Sequence, residues 1–158
     1  MYPELQALIH EAESQYLQAE DLDKLTKEIS TLKDRLTAYR ILRDQEISIF
    51  QDVADQVVKL LPEEKTKKIE TTIRHWLLIT RYCGMAMLLN NPEFLEHRLL
   101  EWLTDIVQAH ESQSISDCIY ALLVEKLTQV LPDEGLEQIQ PFLAQANNYL
   151  TNATALSV

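Results

Sequence analysis

Four histidines are the first side chains to weigh as ligands or acid–base groups: His10, His75, His97 and His110. They form no HExxH motif and no His/Cys cluster with metal spacing, so the sequence predicts no metal site. A single axial histidine can hold haem in a helical protein. His75 and His97 are the candidates for that role, and structural or surface positions are the alternative. Acidic residues lie on the same helix face as His97, and this pattern favours a solvent-exposed position for its side chain.

The two cysteines, Cys83 and Cys118, lie within helical patterns and show no CxxC spacing. This pattern predicts buried free thiols in a reducing compartment rather than a disulfide framework. No histidine stands at helical contact spacing from Cys118, so a buried thiol is favoured over a nucleophile. The acidic clusters have the pattern of solvated helix faces. No catalytic residues can be named, and the sequence predicts a protein that is not an enzyme.

Composition limits the fold that must position these side chains. The chain has 158 residues, of which 46% are hydrophobic and only two are glycine. Dinucleotide- and phosphate-binding loops need several glycines, so a nucleotide-binding α/β fold is disfavoured and an all-α domain is predicted. A net charge of −11 argues against nucleic acid as a partner. No apolar run approaches ~18 residues, so we expect no membrane insertion and a cytoplasmic protein.

Apolar residues repeat with helical periodicity along the whole chain. Pro141 lies within the last pattern and predicts a kink or a late helix start there. A cap at Ser114 or Ser116 is predicted for the helix before it. The predicted helices cover residues 3–15, 20–43, 47–61, 64–90, 93–111, about 114–130 and 133–150. Trp76 and Trp102, together with Ile47 and Val58, are expected to face inward.

The N-terminal helices carry the strongest functional signal. Apolar residues from Leu22 to Tyr39 alternate at spacings of three and four, which is typical of a narrow stripe that seats on one partner helix. Two such helices projecting from a compact body cannot bury both apolar faces on that body. We therefore expect an interface, with intramolecular packing as the alternative. The predicted interface residues are Leu5, Leu8, Ile9, Tyr16, Leu22, Leu25, Ile29, Leu32, Leu36 and Tyr39.

Helix number and length predict a single domain over residues 1–158. A dimerising arm of two helices occupies 1–45, and a body with a globin-like plan occupies 46–158.

Two stretches of the chain resemble phycobiliprotein subunits, the phycocyanin and allophycocyanin family of cyanobacterial light harvesting. The run Ala12-Glu13-Ser14-Gln15-Tyr16-Leu17, followed by Asp21-Leu22-Asp23, is similar to one part of the family pattern. Leu77-Leu78-Ile79-Thr80-Arg81-Tyr82 is similar to another. The resemblance extends over nearly the whole chain and implies the globin-like phycobiliprotein fold with its N-terminal two-helix arm.

The chain departs from the family pattern at the residues that bind the pigment, a bilin. Counting back from Tyr82, the resemblance places the bilin-attaching cysteine at Ile69, and the arginine and aspartate that contact the bilin at Thr71 and Thr72. Without a thiol, no covalent bond to the bilin can form there. The segment between Pro62 and Ile69 is also shorter than the family's loop. The resemblance therefore implies a protein without covalent bilin, in which Ile69, Thr72, His75 and Trp76 mark a vestigial bilin pocket.

The resemblance also implies how the chain functions. In the family, similar helices pair two subunits, helped by an Asp–Arg contact whose positions correspond to Glu11 and Gln15 here. We expect a homodimer, or a heterodimer with a phycobiliprotein-like paralogue, that serves bilin biosynthesis or phycobilisome assembly, with bilin-making enzymes as further partners. The alternative is a carrier or sensor globin that binds haem or a free bilin noncovalently. An enzyme acting on tetrapyrroles ranks last.

Overall fold

The computed structural model describes residues 3–108 and 112–155, so His110 lies outside the described residues. These residues form helices and no strand, which confirms the predicted all-α, globin-like fold. None of the described helices is long and apolar enough to cross a membrane. The elements are α1 (Pro3–Ala12), α2 (Ala19–Leu60), α3 (Thr66–Leu89), α4 (Pro92–Leu95), a π-helical turn (Glu96–Leu100), α5 (Glu101–Gln108), α6 (Gln113–Val130) and α7 (Asp133–Ala155).

Helix α2 is a single helix of 42 residues where the sequence pattern predicts two. Residues 19–60 contain neither glycine nor proline, so nothing in the backbone chemistry interrupts the helix between the arm and the body. At its start, the Asp21 carboxylate accepts a hydrogen bond from the Gln18 backbone N–H at 3.2 Å, half of a capping box. The arm and the body therefore share one continuous helix.

Local chemistry explains the other helix boundaries. Helix α3 ends at Leu89, because the next residue, Asn90, has a φ of 46° in the left-handed region that stops a helix. The Asn91 side chain then accepts a hydrogen bond from the Phe94 backbone N–H, and Pro92 occupies the first turn of α4. Helix α6 begins at Gln113, one residue before the earlier of the two predicted caps. Pro141 lies inside α7, which continues through it to Ala155.

The core lies where α2, α3, α6 and α7 pack on one another. Helices α2 and α7 approach closely at Gly135, where an added Cβ would stand 2.9 Å from the Ala38 Cβ. Trp76 is the largest fully buried side chain.

Three residues predicted to face inward are exposed instead: Ile47, Val58 and Trp102. Ile47 lies 18 residues, or five helical turns, after Ile29, which places it on the same exposed face of α2. The indole N–H of Trp102 donates to the Arg98 carbonyl of the π-helical turn at 2.8 Å.

Candidate functional site

An exposed apolar ridge follows the arm half of α2. Leu22, Ile29 and Leu36 stand seven residues apart on one helix face, with 50%, 61% and 37% of their surface accessible to solvent. We call these three residues the α2 ridge. Large apolar side chains exposed in register along a helix are typical of a surface that contacts another chain.

The other residues of the predicted interface differ in how far they are exposed to solvent. Leu8 is buried, because α1 packs back on α2 of its own chain. The chain itself therefore covers Leu8, and its contact with another subunit stays a prediction. Ile9 and Tyr16 are exposed. The half-buried members of the predicted interface are Leu5, Leu25, Leu32 and Tyr39.

Next to the ridge, α2 and α3 enclose a groove with a volume of about 520 Å³, which we call the α2–α3 groove. Its walls are mainly apolar and aromatic, and Gly84 opens its floor: a Cβ there would stand 3.4 Å from the Tyr39 ring. The groove is lined by Tyr39, Leu42, Arg43, Glu46, Ile49, Phe50, Thr80, Arg81, Tyr82, Gly84, Met85 and Phe94.

Charged groups stand at the mouth of the groove. The Arg81 guanidinium donates two hydrogen bonds to the Glu46 carboxylate, Nε to Oε1 at 2.6 Å and Nη2 to Oε2 at 2.7 Å. These bonds raise the pKa of Arg81 above its usual value. Arg43 Nε donates to Asp44 Oδ1 at 2.7 Å, and this bond lowers the pKa of the Asp44 carboxyl. The groove thus combines apolar walls with an ionic rim.

A polar cluster ties the arm to the body. The buried Arg35 guanidinium donates to Glu28 Oε2 at 3.2 Å and to the Leu88 carbonyl at 3.3 Å. Asn90 Nδ2 donates to the other Glu28 oxygen at 3.0 Å. Because Leu88 and Asn90 belong to the C-terminal end of α3, the cluster holds the arm half of α2 at a defined position relative to the body.

The three positions of α3 that the resemblance assigns to the bilin site are closed off by packing. Ile69, Thr72 and Trp76 are all buried in the core, and none of them lines the α2–α3 groove. The Thr72 hydroxyl donates to the Lys68 carbonyl at 2.8 Å, and the Trp76 indole N–H donates to Ser116 Oγ at 2.9 Å.

These residues do not fit a covalently attached bilin. Ile69 has no thiol, and the Thr71 hydroxyl is engaged with the Lys67 carbonyl at 2.9 Å. Only residues 61–65 separate α2 from α3, so little chain is available to wall a pigment. The position that the resemblance assigns to the bilin is occupied by the protein's own core.

Neither of the two histidines considered for haem lines the α2–α3 groove. His75 is half-buried on α3 beside Trp76. His97 is exposed, and its Nδ1 lies 2.9 Å from Glu101 Oε1, a contact that raises the pKa of His97. Within residues 3–108 and 112–155, no three His, Cys, Asp or Glu side chains are grouped to hold a metal ion.

Both cysteines are free thiols, and burial determines the direction in which the pKa of each thiol is shifted. Removal of Cys83 from water raises the pKa of its thiol far above the usual value, and partial burial raises that of Cys118. Both groups are thus protonated and poor nucleophiles at neutral pH.

The resemblance places Glu11 and Gln15 at the positions of the Asp–Arg contact that joins two subunits in the family. Gln15 Nε2 donates to Glu11 Oε1 at 3.2 Å within the same chain. Gln15 is exposed and Glu11 is half-buried, and the two side chains bond to each other.

Sequence reasoning missed the groove. Its walls come from residues far apart in the chain, such as Phe50, Met85 and Phe94, which meet only when α2, α3 and α4 pack together. One signal was available, since Gly84 is one of only two glycines in the chain.

Residues 8–124 match the family of phycobilisome proteins. No curated protein matches the chain. The match spans well over half of the sequence and includes the α2 ridge and the whole α2–α3 groove. The chain belongs to the phycobilisome protein family.

Proposed function

We propose that this chain is a phycobilisome-family protein without covalent bilin, and that it acts through its helical arm. It pairs with a second phycobiliprotein-like subunit, a copy of itself or a paralogue, as an accessory protein of bilin biosynthesis or phycobilisome assembly. Phycobilisome proteins are structural and light-harvesting proteins rather than enzymes, and they typically assemble with paralogues. The observation that carries the proposal is the α2 ridge beside the α2–α3 groove.

The energetics of the ridge support pairing. Fully burying an exposed Leu or Ile side chain contributes about 1.5–3 kcal/mol. The three ridge residues have 37–61% of their surface left to bury, so each can contribute roughly half of that amount to a contact. The continuity of α2 and the Arg35–Glu28 cluster hold these side chains in place before any partner arrives. Less conformational entropy is therefore lost on binding than with a flexible arm.

The proposal that the chain carries no covalent bilin is supported by the residues at the positions that the resemblance assigns to the pigment. A thiol is missing at Ile69, and Thr72 offers a hydroxyl already bonded to its own helix in place of a carboxylate. An accessory role in assembly or in bilin supply remains open to a family member that attaches no bilin.

The ridge provides the test of this function. Replacing Ile29 and Leu36 together by Asp is expected to weaken the complex more than tenfold, because two charges would be forced into an apolar contact. Both side chains are exposed in the single chain, so the melting temperature of the isolated subunit should change little. Sedimentation velocity and thermal melting report the two quantities. The half-buried Leu25 and Leu32 are less suitable, since their replacement would also disturb the fold.

Leu60→Asp is the matched control, because Leu60 is 59% exposed but lies at the far end of α2. It should leave assembly unchanged. A wild-type chain that stays monomeric at high concentration, and that recovers no phycobiliprotein-like subunit from cell extract, would contradict the proposed function.

A second candidate function, noncovalent tetrapyrrole binding, is favoured by the groove itself. Its volume of about 520 Å³, apolar walls and two arginines at the mouth suit a flat molecule with propionate groups. Among the described residues lining it there is no histidine, so an open-chain bilin fits better than haem. Titration with biliverdin should shift the pigment's absorption spectrum, and Arg81→Ala should weaken binding about tenfold. An unchanged spectrum at micromolar protein excludes this candidate.

A further inference from the structure

We propose that the exposed side of α5 is a docking site for a basic segment of another protein. It consists of Trp102 and Ile106 with the carboxylates of Glu101 and Asp105 beside them, and we call these four residues the α5 face. A partner segment covers the indole with an apolar side chain and pairs its arginines or lysines with the two carboxylates. None of the four residues belongs to the arm, so the inference goes beyond the proposed function and does not depend on it.

The first observation is a pair of large apolar side chains exposed on one helix face. Trp102 and Ile106 stand one turn apart and have 45% and 40% of their surface accessible to solvent. Leu99 and Leu103 of the same segment are buried, so the side of this segment that packs on the core is already occupied. Trp102 and Ile106 therefore form a second apolar surface, of the kind that contacts another chain.

The second observation is that the indole is held in place before any partner binds. The Glu101 backbone N–H bonds to the Glu96 carbonyl five residues earlier, which is the hydrogen bond of a π-helical turn. Such turns are rare and frequently occur at functional sites. The Trp102 indole N–H donates to the Arg98 carbonyl at 2.8 Å. Because this donor is engaged, the exposed part of the ring offers apolar surface rather than a hydrogen bond.

The third observation is the charge around the apolar pair. Residues 92–108 contain four Asp or Glu, one Arg and one His. Glu101 directly precedes Trp102 and Asp105 directly precedes Ile106, so an exposed carboxylate lies next to each apolar side chain. An acidic segment is repelled from this surface, and a segment rich in lysine or arginine is attracted to it.

The carboxylates also act together on neighbouring groups. Burial raises the pKa of Tyr149 on α7, and the negative charges of Glu96, Glu101 and Asp105 raise it further. The exposed His97 lies 2.9 Å from Glu101, and this hydrogen bond is the main reason that the pKa of His97 is raised. A negative potential thus extends from the α5 face to the neighbouring part of α7.

These features specify the chemistry of the partner. Arg98 is the one Lys or Arg among residues 92–108, so the acids keep an excess of negative charge for a partner to neutralise. A partner arginine suits the site best, because its guanidinium can lie over the exposed indole while it bonds to a carboxylate. A contact with one aromatic anchor is small, and interfaces below about 1,200 Å² are typical of transient complexes. We therefore expect micromolar affinity.

Tryptophan fluorescence provides the measurement. The chain has two tryptophans, and Trp76 is 1% exposed, so quenching by acrylamide reports on Trp102. The probe is a synthetic helical peptide of about 20 residues, built from Ala, Arg and Leu with the leucines on one face. Added to the full chain at micromolar concentration, it should protect Trp102 from acrylamide. A peptide with Glu in place of Arg, and one with Ser in place of Leu, should give no protection.

Neutralising the two carboxylates tests the site itself. Glu101→Gln combined with Asp105→Asn should weaken peptide binding about tenfold or more. The matched control is Asp23→Asn combined with Glu125→Gln, which changes the net charge equally at exposed acids of α2 and α6. It should alter binding by less than about twofold. Since all four side chains are exposed, the melting temperatures should stay close to that of the wild type.

Two further variants keep the proposal testable if the loss of Glu101 disturbs the π-helical turn. Asp105→Asn alone retains the His97–Glu101 contact and should weaken binding about threefold. Ile106→Ser removes apolar contact without changing the charge and should weaken binding about fivefold.

Three results would overturn the proposal. The first is a basic peptide that leaves the quenching of Trp102 unchanged. The second is equal weakening by the double variant and by its control, which would mean that the peptide is attracted only by the overall negative charge. The third is protection of Trp102 that increases with protein concentration when no peptide is present, because a second copy of the chain would then cover the α5 face. Each of these results leaves pairing through the arm untouched.

Discussion

Replacing Trp76 by Ala is expected to lower the free energy of unfolding by about 3–5 kcal/mol. Trp76 is 1% exposed, packs against the Tyr120 ring with centroids 5.5 Å apart, and donates its indole N–H to Ser116 Oγ. Truncation removes all these contacts and leaves a cavity between α3 and α6. Urea unfolding measures the change directly, and the melting temperature should fall by on the order of 10 °C.

A mutant cycle separates the hydrogen bond from the packing. Trp76→Phe and Ser116→Ala should each cost about 1–3 kcal/mol, because each leaves a buried polar group without its partner. The double variant should cost less than the two single changes together, since neither partner then remains. A loss below about 1 kcal/mol for Trp76→Ala would show that this side chain borders an open pocket instead of the core.

The second expected result is that the chain acquires no covalent bilin when produced together with a bilin-making pathway. Bilin attachment requires a thiol that adds to the pigment, and Ile69 cannot supply one. Thr72, at the position where the resemblance places a carboxylate, offers no negative charge to the protonated pyrrole nitrogens. The measurement is zinc-induced fluorescence of the denatured band on a gel, with a cysteine-bearing phycobiliprotein subunit as the positive control. Fluorescence of the wild-type band would contradict this expectation.

Restoring only the thiol, by Ile69→Cys, should add little. The side chain at this position is 3% exposed, so a thiol there would be buried and its pKa raised. The triple variant Ile69→Cys, Thr71→Arg and Thr72→Asp also lacks the longer loop, which only an insertion between residues 61 and 65 would restore. Strong fluorescence from the single variant would mean that the site opens more readily than its packing indicates.

Much of the helical architecture was predictable because it rests on local chemistry. The pattern over residues 64–90 differs from α3 by no more than two residues at either end, since the Asn90-Asn91-Pro92 turn stops one helix and starts the next. The continuity of α2 was harder to predict. Residues 44–46 look like a polar turn, but they contain no helix breaker, and packing of α2 along the body keeps them helical.

Exposure depended on contacts between distant residues. Periodicity marks Leu8, Leu22 and Ile29 alike as apolar face residues, yet α1 folds back to bury Leu8 while the other two stay exposed. Ile47 is exposed for the same reason. It fits the apolar period of α2, but it lies on a side of the helix that no other described helix covers. Hydrophobic periodicity specifies a face, and only the packing of other elements determines whether that face is covered.

By itself the sequence determined the all-α class and the apolar stripe of the arm, because these depend on residue type and local spacing. The tertiary structure decided that Ile69 and Thr72 lie in a closed core and that Leu22, Ile29 and Leu36 remain as a ridge. It also created the α2–α3 groove, whose walls are some 40 residues apart in the chain. The physical reason is that burial and concavity arise between elements, and no single segment of sequence contains them.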